Sequence, residues 1–168
     1  SQGPIIFDID IKYHSDNSTR RYNYDHILKT VEIYNKIISK YLDVEEEHYH
    51  CFITEKKKPN MTNDTIYKDG FHGQYPNIVA SIETKYLIHR AVVEEFEKND
   101  YYKSIQPLNS YKDIFDEMII RDTNWFIYGC CKPQREPYLL THVIGNDLKE
   151  YDFKKKFTCL LYTSDAAD

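Results

Sequence analysis

Cysteine is scarce here: four residues in a chain of 168, of which Cys159 falls in a terminal stretch set aside below. Cys51 and the adjacent Cys130-Cys131 form no zinc-ligand spacing and no disulfide framework. A signal peptide and any long apolar run are also missing, so the sequence offers no membrane-spanning helix and points to a reduced, soluble, intracellular protein. The sequons at Asn17, Asn60 and Asn63 are then incidental. Nor is there an excess of basic charge: 27 acidic residues face 22 lysines and arginines, a net charge of −5. That excludes a broad polyanion binder, but not nucleic acid met by a local basic surface or by acids neutralised with metal. Lys56-Lys57-Lys58 and Lys154-Lys155-Lys156 could supply such a surface, although runs of this kind commonly form solvated loops. No internal repeat and no linker divides the chain, and its length suits one domain with a real core.

The ends read differently from the middle. The sequence opens at Ser1 without an initiator Met, beside its most informative strand, which suggests a missing N-terminal part. Cys159-Leu-Leu-Tyr-Thr-Ser-Asp-Ala-Ala-Asp168 resembles a translated sequencing adapter and is excluded from fold reasoning. Without it the acidic count falls from 27 to 25 and the net charge moves from −5 to −3. The expected organisation is one partial domain over 1–158 followed by an artefactual tail over 159–168.

What is present begins with Pro4-Ile-Ile-Phe-Asp-Ile-Asp-Ile-Lys-Tyr13. On a strand, Ile5, Phe7, Ile9 and Ile11 point to one face while Asp8, Asp10 and Lys12 share the other. Two carboxylates about 7 Å apart along a strand can share a divalent metal, whereas two uncompensated like charges there are costly. Helical spacing of Ile27, Val31, Tyr34, Ile38 and Tyr41 predicts a helix from Tyr24 to Leu42. Strands are predicted at Tyr49–Glu55 and Ile66–Pro76, with a loop through Pro59, Asn60, Asn63 and Asp64 between them. The glycines of the second strand mark places where backbone approaches a ligand closely. Ser81 caps a second predicted helix running to Lys98, with Leu87, Ile88, Ala91, Val92 and Phe96 on its buried stripe. The stretch from Asp100 to Lys112 shows no clear periodicity. Further strands are predicted at Ile114–Ile120, Trp125–Tyr128 and Tyr138–Val143, with Trp125 read as a core residue. The order β, α, β, β, α, β, β, β gives an α+β fold, an antiparallel sheet with helices on one face.

Three groups carry chemistry. Asp8 and Asp10 form the first. In Lys68-Asp69-Gly70-Phe71-His72, alternation sets Lys68, Gly70 and His72 on one side: a cation, a position without a side chain and an imidazole, which together suit a triphosphate. The bland alternative is an exposed turn with a surface histidine. The third group is Phe115-Asp116-Glu117 with Asn124 to Pro133 downstream. Here Asp116 could complete a metal site and Lys132 could reach phosphate oxygens, unless both are ordinary surface charges. Asp113 and Glu117 lie close enough to compete with Asp116 for the role of third acid.

In this order, the segments resemble the archaeo-eukaryotic primase superfamily, especially the primase part of primase-helicases in large DNA viruses. Asp8 and Asp10 match its acid-x-acid strand. Lys68, Gly70 and His72 match a Lys-x-Ser-x-His strand in which glycine stands in place of serine. Asp116 matches the third acid and Lys132 the downstream phosphate-binding lysine. The resemblance covers most of Pro4 to Val143. It implies an RRM-like catalytic core that makes primers on single-stranded DNA by a two-metal mechanism. Asp8, Asp10 and Asp116 would hold two Mg²⁺ or Mn²⁺ ions, His72, Lys68 and Lys132 would bind the incoming nucleoside triphosphate, and a helicase domain would accompany it in the full-length protein.

Two other functions fit parts of the sequence. His48-Tyr49-His50 on a strand resembles the metal-binding pair of replication-initiator nickases, which cleave DNA through a tyrosine nucleophile; that reading leaves Asp8 and Asp10 unused. An RRM-like nucleic-acid-binding module without catalysis is the second, but acids on the sheet face would repel phosphate unless metal-loaded.

Overall fold

The computed structural model describes residues 2–16, 18–63, 65–121 and 136–153. The first long strand, β1 (Gln2–His14), follows the alternation of its sequence: Ile5, Phe7, Ile9, Ile11 and Tyr13 are buried. A helix α1 (Tyr24–Tyr41) comes next. Its start is fixed by Asn23, whose side chain accepts hydrogen bonds from the backbone N–H of Asp25 and His26 while the His26 ring accepts from the Asn23 N–H, a reciprocal cap. Of the predicted stripe, Ile27, Val31, Tyr34 and Ile38 are buried, but Tyr41 on the last turn is 44% exposed.

The strand β2 (Cys51–Glu55) begins two residues later than its aromatic content suggests, because Glu46–His48 forms a 3₁₀ turn. A two-residue strand β3 (Asn60–Met61) lies in what reads as loop and pairs with the start of β4 (Ile66–Ser81). β4 runs past Pro76 to the Ser81 hydroxyl, which accepts from the Thr84 N–H and starts α2 (Ile82–Asn99). Ile88, Val92, Val93 and Phe96 form the buried side of α2; Leu87 is 48% exposed, one residue off the face that meets the sheet. The short helix α3 (Tyr111–Ile114) follows, and the strand β5 (Leu139–Ile144) closes the sheet.

The predicted strand over Ile114–Ile120 does not form. Its apolar residues are divided between α3, a single bridge from Phe115 to Ile9 and a 3₁₀ turn over Glu117–Ile120. The Asp116 carboxylate explains the break, since it accepts the Met118 N–H and caps that turn instead of letting the chain extend. The predicted strand at Trp125–Tyr128 lies outside the described residues.

Among the described residues the sheet order is β1-β4-β2-β5, all neighbours antiparallel, with β3 on β4. Thus the architecture is α+β as expected. The core fills one face of the sheet, where the Phe7 ring stacks on Tyr34 of α1 with centroids 4.3 Å apart. A Cβ at Gly73 would run into the Phe7 ring, so this glycine makes room for the stack.

Candidate active site

Register decides what faces what. Asp8 pairs with His72, Asp10 with Gly70 and Lys12 with Lys68 across β1 and β4. Because Ile9, Ile11 and Phe71 are buried among the core side chains, the alternate residues emerge together on the opposite face. There the His72 Nε2 lies 3.2 Å from Asp8 Oδ1, and Lys68 Nζ lies 2.7 Å from Asp10 Oδ2. The two carboxylates that looked costly as neighbours are therefore compensated, one by an imidazole and one by an ammonium. All four are reachable from solvent, with side-chain exposures of 22% for Asp8, 28% for Asp10, 11% for His72 and 42% for Lys68.

Gly70 lets β4 pack tightly on β1. A Cβ there would run into the Ile9 carbonyl oxygen, so this glycine admits a close approach of the β1 backbone. A serine cannot be accommodated at this position without separating β4 from β1.

Asp116 is tied by its backbone to the edge of β1 that faces away from β4. Phe115 bridges to Ile9, and the Asp116 N–H donates to the Asp8 carbonyl at 3.1 Å. The same edge is covered further along: Leu108 N–H donates to Lys12 O, Asn109 Oδ1 accepts the Lys12 N–H, and Asn109 Nδ2 donates to Asp10 O at 2.8 Å. Asn109 thus stands in for a strand residue and satisfies an otherwise open edge. No periodicity announced it, since side-chain bonding replaces the ladder. Each of the three candidate third acids lies against other groups, Asp116 itself accepting the Met118 N–H. Asp113 accepts from Ser110 Oγ at 3.2 Å, and Glu117 lines a recess with His89, Arg90 and Lys112. Lys132 lies outside the described residues.

The donor set suits a hard divalent cation: three part-exposed carboxylates, two on alternate positions of β1 and one fastened to its edge. Among the described residues no three carboxylate, imidazole or thiolate groups already converge into a cage. Asp8 and Asp10 would have to release His72 and Lys68 to turn toward an ion. The residues present thus fit such an ion in chemistry, although Asp116 would also have to turn from the Met118 N–H that it accepts.

A buried polar network backs this face and was not foreseen. Arg20 grips Asp69 with two hydrogen bonds of 2.8 and 3.0 Å, contacts Glu55 at 3.2 Å, and donates to the Lys56 carbonyl at 2.7 Å. The Tyr22 hydroxyl is within 2.6 Å of Glu55 and 3.0 Å of the Gly70 carbonyl. Burial alone would raise the Glu55 carboxyl, but hydrogen bonds from His142, Thr141 and Tyr22 and the Arg20 charge together hold it down to about 2. Asp69 is pushed up by burial, an effect the Arg20 fork opposes. A hydrogen bond to Glu55 raises the His142 imidazole against its own burial.

The nickase-like histidines do not share a strand face. His48 ends the 3₁₀ turn and contacts Glu47, His50 packs its ring edge-on to Tyr151, and Tyr49 between them is buried.

Residues 1–144, which include every candidate residue named above, match the family described as C962R protein N-terminal AEP domain. The chain belongs to the archaeo-eukaryotic primase superfamily. A protein of Acanthamoeba polyphaga mimivirus named "Putative helicase L207/L206" is 32% identical over 153 residues. That match takes in 89% of this chain and 16% of the mimivirus protein, so the primase-type domain described here corresponds to about a sixth of that relative. Similarity to a giant-virus protein with a helicase name agrees with a viral primase-helicase. No helix among the described residues is long and apolar enough to cross a membrane.

Proposed function

We propose that this domain is a template-directed nucleotidyltransferase, a DNA primase or primase-polymerase that makes primers on single-stranded DNA during replication, joined to a helicase in a longer viral protein. The observation that supports it most is the convergence of Asp8 and Asp10 with His72 and Lys68 on one sheet face, beside the edge-bound Asp116.

Two Mg²⁺ or Mn²⁺ ions held by Asp8, Asp10 and Asp116 would supply Lewis-acid activation of the primer 3′-hydroxyl and charge stabilisation at the leaving pyrophosphate. The chain's own part is positioning and electrostatics. Lys68 and His72, together with Lys132, bind the triphosphate of the incoming nucleotide by charge-assisted hydrogen bonds. In the resting site Lys68 pairs with Asp10 and His72 faces Asp8; with nucleotide they turn to the phosphates and leave Asp8 and Asp10 free. Gly70 keeps β4 tight on β1, so the acids and the phosphate-binding groups stay in register.

Primer synthesis on single-stranded DNA with nucleoside triphosphates and Mn²⁺ or Mg²⁺ tests the reading. Asp8→Ala and Asp10→Ala should each abolish product, a loss on the order of 10³-fold or more, with an unchanged circular-dichroism spectrum. Full activity in either variant would sink the proposal.

A further inference from the structure

Of the three lysines at 56–58, only the first is anchored. Its carbonyl accepts the Arg20 hydrogen bond, and its side chain is half-buried while Lys57 and Lys58 are exposed. Along β2, Cys51, Ile53 and Glu55 are buried in the sheet, whereas Phe52 and Thr54 have the opposite parity, and Thr54 is the register partner of His72. Lys56 has the parity of Thr54 and so emerges on the face that carries Lys68 and His72. Glu55 pairs with Leu139 of β5, which brings Tyr138 opposite Lys56 where the ladder runs out.

Tyr138 then reaches across short Thr54 to the His72 imidazole. The two rings stack with centroids 3.8 Å apart and planes 16° from parallel, and Lys56 Nζ stands 4.9 Å from the centre of the Tyr138 ring. The result is a column of ammonium, phenol ring and imidazole contributed by the end of β2, the start of β5 and β4. The stack fixes the plane of the ring whose Nε2 faces Asp8. Neighbouring strands lie about 4.8 Å apart, so basic groups rising from β4 and from the end of β2 can span several linked phosphates.

We propose that Lys56 is a further polyphosphate-binding residue of this site, and that Tyr138 is a positioning residue that holds the His72 ring for the same ligand. The proposal rests on the nucleotidyltransferase reading and extends it to a second strand.

Calorimetric titration with inorganic tripolyphosphate, without divalent ions, tests it. Lys56→Met should weaken binding about tenfold, the worth of one charge-assisted contact, while Lys57→Met, with the same change in net charge, leaves it unaltered. Tyr138→Leu should weaken binding and Tyr138→Phe, which keeps the stack, should restore it. On a His72→Ala background Tyr138→Leu should have no further effect, a coupling that general destabilisation would not produce. Thermal unfolding of each variant confirms that it is folded. Wild-type affinity in Lys56→Met, equal losses in Lys56→Met and Lys57→Met, or additive effects of Tyr138→Leu and His72→Ala would overturn the proposal. Binding that depends on Lys68 and His72 but not on Lys56 defeats this inference alone. Binding that is absent from the wild type, or survives loss of both Lys68 and His72, defeats the phosphate cradle itself.

Discussion

Lys68 and Gly70 illustrate how single residues of one motif can do opposite things. Lys68 is part-exposed and paired to a part-exposed acid, and ion pairs of that kind contribute up to about 1 kcal/mol. Lys68→Met should therefore change urea-unfolding stability by less than about 1 kcal/mol while weakening nucleoside triphosphate binding by about tenfold. Gly70 reverses the pattern. Its hydrogen lies where any Cβ would meet the Ile9 carbonyl oxygen, so Gly70→Ser, although it restores the hydroxyl of the related motif, should cost about 1–3 kcal/mol through forced separation of β1 and β4. A Gly70→Ser variant as stable as the wild type in the same titration would show that the strands can part without penalty.

At the scale of elements, two devices hold the site in place. One is the 108–116 segment along the β1 edge. Asn109→Ala removes bonds to both Asp10 O and the Lys12 N–H; the expected loss is about 1–3 kcal/mol, with faster amide exchange at Lys12 than at the interior of β4. The other is the network of Arg20, Tyr22, Glu55, Asp69 and His142 behind β4 and β2. Glu55 titrates near 2 when folded against an ordinary value of 4.5. A depressed acid binds more protons unfolded, so its contribution is complete above about 4.5 and is lost as pH falls toward 2. His142 is raised above its ordinary 6.5, so its contribution is complete below 6.5 and fades as pH climbs through the raised value. Stability measured against pH should then decline on both sides. Glu55→Gln should flatten the acid limb, and because it weakens the contact that raises His142, it should soften the alkaline limb too.

On the scale of the whole molecule, the domain is a sheet whose one face is core and whose other face carries the candidate site. Phe7 belongs to the first and Asp8 to the second, one residue apart. Substituting Phe7 by Ala empties the stack on Tyr34 and should destabilise the domain by about 3–5 kcal/mol, read as a lowered unfolding midpoint. The Asp8 substitution should leave that midpoint nearly unchanged while removing synthesis. The helicase proposed above for a longer protein carries its own expectation: were it present, its unwinding of DNA should survive loss of Asp8 or Asp10, since those acids belong to the primase-type domain.

The sequence by itself determined the elements whose periodicity is unbroken. β1, the two long helices and the cap at Ser81 could be read directly because burial there repeats every second residue or every three to four. The pairing of Asp8 and Asp10 on one face, and of Lys68 with His72, followed from the same alternation. Only the tertiary structure decided that Asp8 meets His72 and Asp10 meets Lys68, because strand register depends on contacts 64 and 58 residues apart in sequence. It likewise divided the expected strand at Ile114–Ile120 between the end of α3, a bridge and a 3₁₀ turn, since a carboxylate that caps its own backbone overrides an apolar run. The meaning of Gly70, the Arg20 network and the Lys56-Tyr138-His72 column are long-range facts of the same kind. Each depends on which strands lie side by side, and no local pattern of residues encodes that.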